Sequence, residues 1–182
     1  ALHRSPHMRL CHTEEIWIRR GVRVNQMKKH AKSGGQLFER CLELCCISPS
    51  SVLIHRGVFD DYGDFDENLP ACEDYDLWLR VCAQEEVLFV ETPLTIKHGG
   101  HDDQLSRRFW GMDRFRVQAT EKLLAVTSLT AEQRILAVRS VVRRLTILLG
   151  GARKRGNQEA IETFDPKLIH WTGVLREMEA PQ

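Results

Sequence analysis

Residues 70–81 read PACEDYDLWLRV, and the spacing within that stretch decides what the surrounding chain can be. Glu73 and Asp74 precede Tyr75, Leu77, Trp78, Val81 and Cys82, which predicts an amphipathic helix with carboxylates on its first turn. Acids are stabilised there by free backbone N–H groups and the helix dipole, a sufficient structural reason for their presence. The position also suits chemistry. The acids follow a turn-rich acidic stretch, GVFDDYGDFDENLP at 57–70, as a group aimed into a cleft would. A carboxylate so placed can take a proton from a hydroxyl nucleophile. Asp76 points away from Asp74, so one acid can face a cleft while another anchors the loop.

Working outward, RLCHTEEIWIRRG (9–21) reads as a strand or hairpin arm ending at Gly21, and VLI (52–54) as a short buried strand. NQMKKHAKSGG (25–35) is polar, basic and closed by a glycine pair, the pattern of a mobile surface loop. QLFERCLELCC (36–46) places Leu37, Phe38, Cys41, Leu42 and Cys45 on one helical face. EEVLFVETPLTIKHGG (85–100) reads as one or two strands interrupted at Pro93. Beyond Asp103 the pattern is helical, with Thr130 as a helix cap and with a helix, a break at Pro166 and a second helix over 157–179. The expectation is an α/β fold, a mixed sheet with flanking helices over 1–126, followed by a helical extension over 127–182.

The balance of 26 basic against 25 acidic residues leaves a net charge of +1, so no global basic field argues for nucleic acid. No apolar run approaches the roughly 20 residues that cross a bilayer. The six cysteines read as reduced and mostly buried. Cys41, Cys45 and Cys46 lie close together, but no second pair completes a tetrahedral zinc set. The opening ALHRSPHMRLCHTEE reads as cut from a longer chain.

A second dense patch, KHGGHDDQLSRR at 97–108, joins His98, His101, Asp102, Asp103, Arg107 and Arg108. Imidazole and carboxylate suit a divalent cation, and guanidinium suits phosphate oxygens. The structural alternative makes His98 a strand-end residue and the aspartates a helix cap. The basic loop of Lys28, Lys29, His30 and Lys32 is expected to be solvated. The stripe of Arg139, Arg143 and Arg144 could lie on a membrane surface, and an ordinary amphipathic helix explains it equally well.

Taken together, SSVLIHRGVFDDYGDFDENLPACEDYDLWLRV (50–81), a following strand pair and HGGHDDQLSRRFW (98–110) resemble the C-terminal, acceptor-side half of a family 2 glycosyltransferase of the GT-A fold. The resemblance covers about 11–125. It implies Asp74 as catalytic base with Glu73 as the fallback, an inverting direct displacement, and a Mg²⁺ or Mn²⁺ ion neutralising the nucleotide diphosphate. It places His98 near that metal, and Gln104, Arg107 and Arg108 at the diphosphate. Arg108 stands where processive members have Trp, which argues against a polymerase. The DxD-type metal motif and nucleotide-binding half are missing, and Asp64–Phe65–Asp66 falls where the family has an ordinary turn, so it is not assigned to metal.

The expected activity is transfer from a nucleotide-sugar to a hydroxyl of a glycan or lipid-linked acceptor. The expected place is the cytoplasm, with peripheral contact at the inner face of the membrane. This segment alone is expected to be inactive and to self-associate through open sheet edges. One rival is a non-enzymatic module that binds a protein partner or membrane surface. A weaker one is a metal-dependent hydrolase using His98, His101 and the aspartate pair.

Overall fold

The computed structural model describes residues 1–100 and 109–180. Gln104, Arg107, Arg108, His101, Asp102 and Asp103 lie outside the described residues. The chain folds as two compact units, residues 1–110 and 111–182.

The first unit is α/β. Its elements are β1 (Leu10–Arg19), β2 (Val22–Val24), α1 (Phe38–Glu43), β3 (Val52–Ile54), α2 (Gly57–Tyr62), α3 (Glu73–Cys82) and β4 (Leu88–Gly99). They form a mixed four-stranded sheet with flanking helices. β1 is its spine, antiparallel to β3 at Leu10–His12 and to β2 at Trp17–Arg19, and parallel to β4 along its other edge. Pro93 does not divide β4 into two strands. It sits opposite Glu14, where the register shifts, because a residue without an N–H is tolerated at an edge strand or bulge.

α3 is the central helix, with every residue from Tyr75 to Cys82 buried. A helix enclosed on all sides must neutralise its own polar groups. Asp76 and Arg80, one turn apart, pair at 2.9 Å, and the Arg80 guanidinium also donates to the backbone carbonyls of Tyr62, Gly63 and Asp64. That fork fixes the stretch that leads into α3. The sequence reads 57–62 as turns, yet it forms α2, which ends where Gly63 adopts φ +77°. Tertiary bonds decide this: Arg9 on the edge of β1 bridges Asp61, Tyr62 and Glu85.

Three further expectations are corrected. β3 is a half-exposed strand rather than a buried one, with Leu53 63% exposed. The 25–35 loop is pinned, since Gly35 exchanges backbone hydrogen bonds with Val87 and Gln26 bonds Glu14. Lys32 is not solvated but pairs with the buried Glu15 at 3.2 Å. Gly34 explains why glycine ends this loop, because a Cβ there would lie 2.7 Å from the Val87 carbonyl oxygen.

The second unit contains three helices, α4 (Asp113–Val126), α5 (Ala131–Arg155) and α6 (Gln158–Glu179). Thr130 caps α5 through a reciprocal box with Gln133. Arg144 belongs to the interior rather than to a surface stripe, since it is buried and pairs with Asp113 at 2.6 Å. Pro166 does not break the last helix. Ion pairs hold both halves of α6: Arg153–Asp165 at 2.7 Å, Lys167–Glu121 at 2.5 Å and Arg139–Glu179 at 2.7 Å. Docking on both sides of the proline offsets the backbone bond it forfeits. No described helix is long and apolar enough to cross a membrane.

Candidate functional site

The first turn of α3 carries Glu73 and Asp74, both half-buried. Cys72 immediately before them adopts φ +65°, a left-handed conformation that non-glycine residues rarely take. Such strain costs about 1–3 kcal/mol and persists only where the surroundings impose it. Asp74 is held on both oxygens: the Tyr75 N–H donates to Oδ1 at 2.7 Å and the Cys45 thiol to Oδ2 at 3.1 Å. Each carboxylate oxygen has two lone pairs, so one acceptor position on each remains for a further donor. Glu73 has no side-chain partner among the described residues.

The sequence places Cys45 on a core-facing helical stripe and in a cysteine cluster too small for zinc. Its sulfur instead orients the candidate base. Burial and the neighbouring Asp74 charge push its thiol well above the usual cysteine range, so it remains a protonated donor. All six cysteines are free thiols. Cys41 lies 3.4 Å from Cys46 and 3.8 Å from Cys82, sulfur to sulfur, in the core.

The segment that carries Cys45 also reaches the sheet. Ser48, separated from Cys45 only by Cys46 and Ile47, accepts from the Lys97 ammonium at 3.2 Å. Three residues span at most about 11 Å between Cα atoms, so one short segment tethers the Asp74 carboxylate and the Lys97 ammonium. Lys97 also lies 5.4 Å from the ring centre of Trp17, whose indole N–H donates to Glu15 at 2.9 Å. Burial works to raise the Glu15 carboxyl. Hydrogen bonds from Ser48 and Trp17 and the charges of Lys32 and Lys97 outweigh it and hold the group below its usual range.

Beside this network lies a cavity of about 420 Å³, lined by β1, β2, the 25–30 loop and the end of β4. Trp17, Ile18, Val24 and Met27 supply its apolar surface, and Arg19, Lys97, His30 and His98 its basic groups. Burial and the cations of Lys29, Lys97 and Arg40 hold the His30 imidazole below its usual range. His98, the expected metal neighbour, is therefore a lining residue of this cavity rather than part of the first turn of α3. Hard divalent cations need several oxygen ligands. The described lining contains no carboxylate, and no three His, Cys, Asp or Glu side chains converge as a metal site among the described residues. The described residues alone do not fit Mg²⁺ or Mn²⁺. Asp66 accepts from the Asn68 backbone N–H, as in an ordinary Asx turn.

Sequence reasoning missed Cys45, Ser48 and Trp17. Only Trp17 carried a signal, as the aromatic of the Ile16–Trp17–Ile18 run in β1. No family model matches the chain, and no curated protein or solved structure matches it.

Proposed function

We propose that this chain is the acceptor-side, base-bearing portion of an inverting glycosyltransferase of GT-A type, acting in assembly of a glycan or glycoconjugate. The observation that carries the reading is the oriented carboxylate of Asp74 on the first turn of α3, behind the strained Cys72 and fixed by the Cys45 thiol. The mixed sheet with flanking helices is compatible with it, and the order of motifs from 50 to 110 supports it. Asp74 accepts the proton of the acceptor hydroxyl as that oxygen bonds to the anomeric carbon of a nucleotide-sugar. The bond from that carbon to the diphosphate oxygen breaks, and its electron pair leaves with the diphosphate. Tyr75 N–H and Cys45 S–H hold the carboxylate plane during this step, and Glu73 stands beside it as the second candidate. The resemblance assigns a divalent cation and a cytoplasmic setting to the complete enzyme.

The test is transfer by the full chain that its reading frame encodes, assayed over a panel of nucleotide-sugars with Mn²⁺. Asp74→Asn is expected to lose about 10²–10⁴-fold in transfer, the usual contribution of a general base, with donor binding retained. Retained transfer in Asp74→Asn with loss in Glu73→Gln moves the base to Glu73. Absence of transfer by the parent chain across the panel removes the reading.

One observation favours the non-enzymatic alternative. Leu53, Leu94 and Ile96 of the sheet are 63%, 68% and 56% exposed, as on a surface that meets a protein partner.

A further inference from the structure

The cavity beneath the 25–30 loop has a chemistry of its own. At about 420 Å³ it falls within the size range of small-molecule sites. Its walls are apolar: Trp17, Ile18, Val24 and Met27. Among the described residues its charged lining is cationic alone, with Lys97 and Arg19. The nearest buried carboxylate, Glu15, is already paired with Lys32. Neither Lys97 nor Arg19 forms an ion pair with a carboxylate among the described residues, although the Lys97 charge also acts on Glu15, so an anion in the cavity meets positive charge that no salt bridge engages.

The neutral polar groups limit the ligand further. Among the described residues, Asn25 is the single amide side chain in the lining and no hydroxyl side chain lines it. A sugar or ribose brings several hydroxyls that must be satisfied when buried, and the walls of Ile18, Val24, Met27 and Trp17, whose N–H is already given to Glu15, offer them no side-chain partner. An apolar body with one anionic head makes no such demand on those walls.

We propose that this cavity binds an amphipathic organic anion, its apolar body against Trp17, Ile18, Val24 and Met27 and its phosphate or carboxylate head at Lys97 and Arg19. The inference does not depend on the transferase reading, because it invokes neither Asp74 nor a nucleotide. Trp17 serves as the wall, and Lys97 stands at its face, 5.4 Å from the ring centre. Binding exchanges that cation–π contact for a charge-assisted hydrogen bond, the stronger interaction when water is displaced.

The test is calorimetric titration of the chain with 1-naphthyl phosphate, 1-naphthol, inorganic phosphate and uridine diphosphate. Saturable one-to-one binding of naphthyl phosphate is expected, with the other three at least about tenfold weaker, since a hydrogen bond to a charged group contributes about 1.5–3 kcal/mol. Lys97 is exposed, so Lys97→Gln should fold, with at most a small drop in melting temperature from its lost contacts to Ser48 and Trp17, and weaken binding about tenfold. Lys97→Glu should weaken it further. Displacement of naphthyl phosphate by phosphatidylglycerol vesicles, but not by phosphatidylcholine vesicles, identifies a lipid as the source of the anion, and absence of displacement identifies a free molecule; both support the assignment. Naphthol binding as tightly as naphthyl phosphate overturns it, as does uridine diphosphate binding more tightly, no saturation at millimolar ligand, or unchanged affinity in Lys97→Glu.

Discussion

Replacing Arg80 by Met tests the most consequential packing claim in the first unit, that a buried ion pair inside α3 holds the approach to Glu73 and Asp74. The Asp76 side chain is 1% exposed and the Arg80 side chain 8%, and they meet at 2.9 Å. Met fills much of the arginine volume but removes the charge that pairs with the buried Asp76 carboxylate from within α3. Breaking a buried pair from one side costs about 3–5 kcal/mol. Of the carbonyls that Arg80 also caps, those of Gly63 and Asp64 add little, because both residues are exposed, while the half-buried Tyr62 carbonyl can only add to the loss. Domain stabilities run about 5–15 kcal/mol, so the loss is a large share of the whole. At about 4–8 °C per kcal/mol for a unit of this size, the melting temperature should fall by at least about 12 °C. Urea unfolding followed by circular dichroism and by tryptophan fluorescence reads the change, since Trp78 is buried on the same helix. The double variant Asp76→Leu/Arg80→Met replaces both charges with apolar volume and should recover most of the loss. A loss below about 1 kcal/mol in the single variant, or a double variant no more stable than the single, would refute the reasoning.

Three other outcomes are expected. Burial is the main cause that holds His12 below its usual range, and its Nε2 lies 2.8 Å from the Ser33 carbonyl oxygen. The unfolded chain therefore binds this proton first, so the contribution is complete above about pH 6.5 and is lost as pH falls toward the folded value, by at most about 1.4 kcal/mol per pH unit. Unfolding of His12→Gln between pH 7.5 and 5 should show a shallower pH slope than the parent. Thr130→Ala removes the cap of α5 and should cost about 1 kcal/mol, read by thermal melting of the helical signal. Pro166→Ala restores a backbone donor inside α6 and should stabilise the helical unit, by up to about 3 kcal/mol; a destabilised variant would mean that the proline sets a bend the docking of α6 requires.

Periodicity made the long elements legible. The apolar spacing of 73–82 and of the helices after Thr130, and the β-formers of 9–20, state their own conformation, because one face of each must be buried whatever partner covers it. Local chemistry likewise gave the cap at Thr130 and the acids on the first turn of α3. What stayed unread were features set by partners distant in sequence. The stretch 57–62 is composed as a turn and becomes a helix through Arg9 and Glu85. Pro166 punctuates a sequence but not a helix docked on both sides of it.

The candidate site divides in the same way. Glu73 and Asp74 were visible because a helix start concentrates acids for a local electrostatic reason. Cys45 as the donor to Asp74, and the apolar, cationic cavity that joins Trp17 to Lys97 and His98, were not. Their residues are separated by tens of positions in sequence and meet only when β4 returns beside β1 and the 44–48 segment crosses between α3 and the sheet. The sequence by itself determined the long periodic elements and where acids would gather, since those depend on spacing and backbone dipoles. The tertiary structure alone decided which thiol holds which carboxylate and which cations remain unpaired, because those depend on long-range burial that no local pattern encodes.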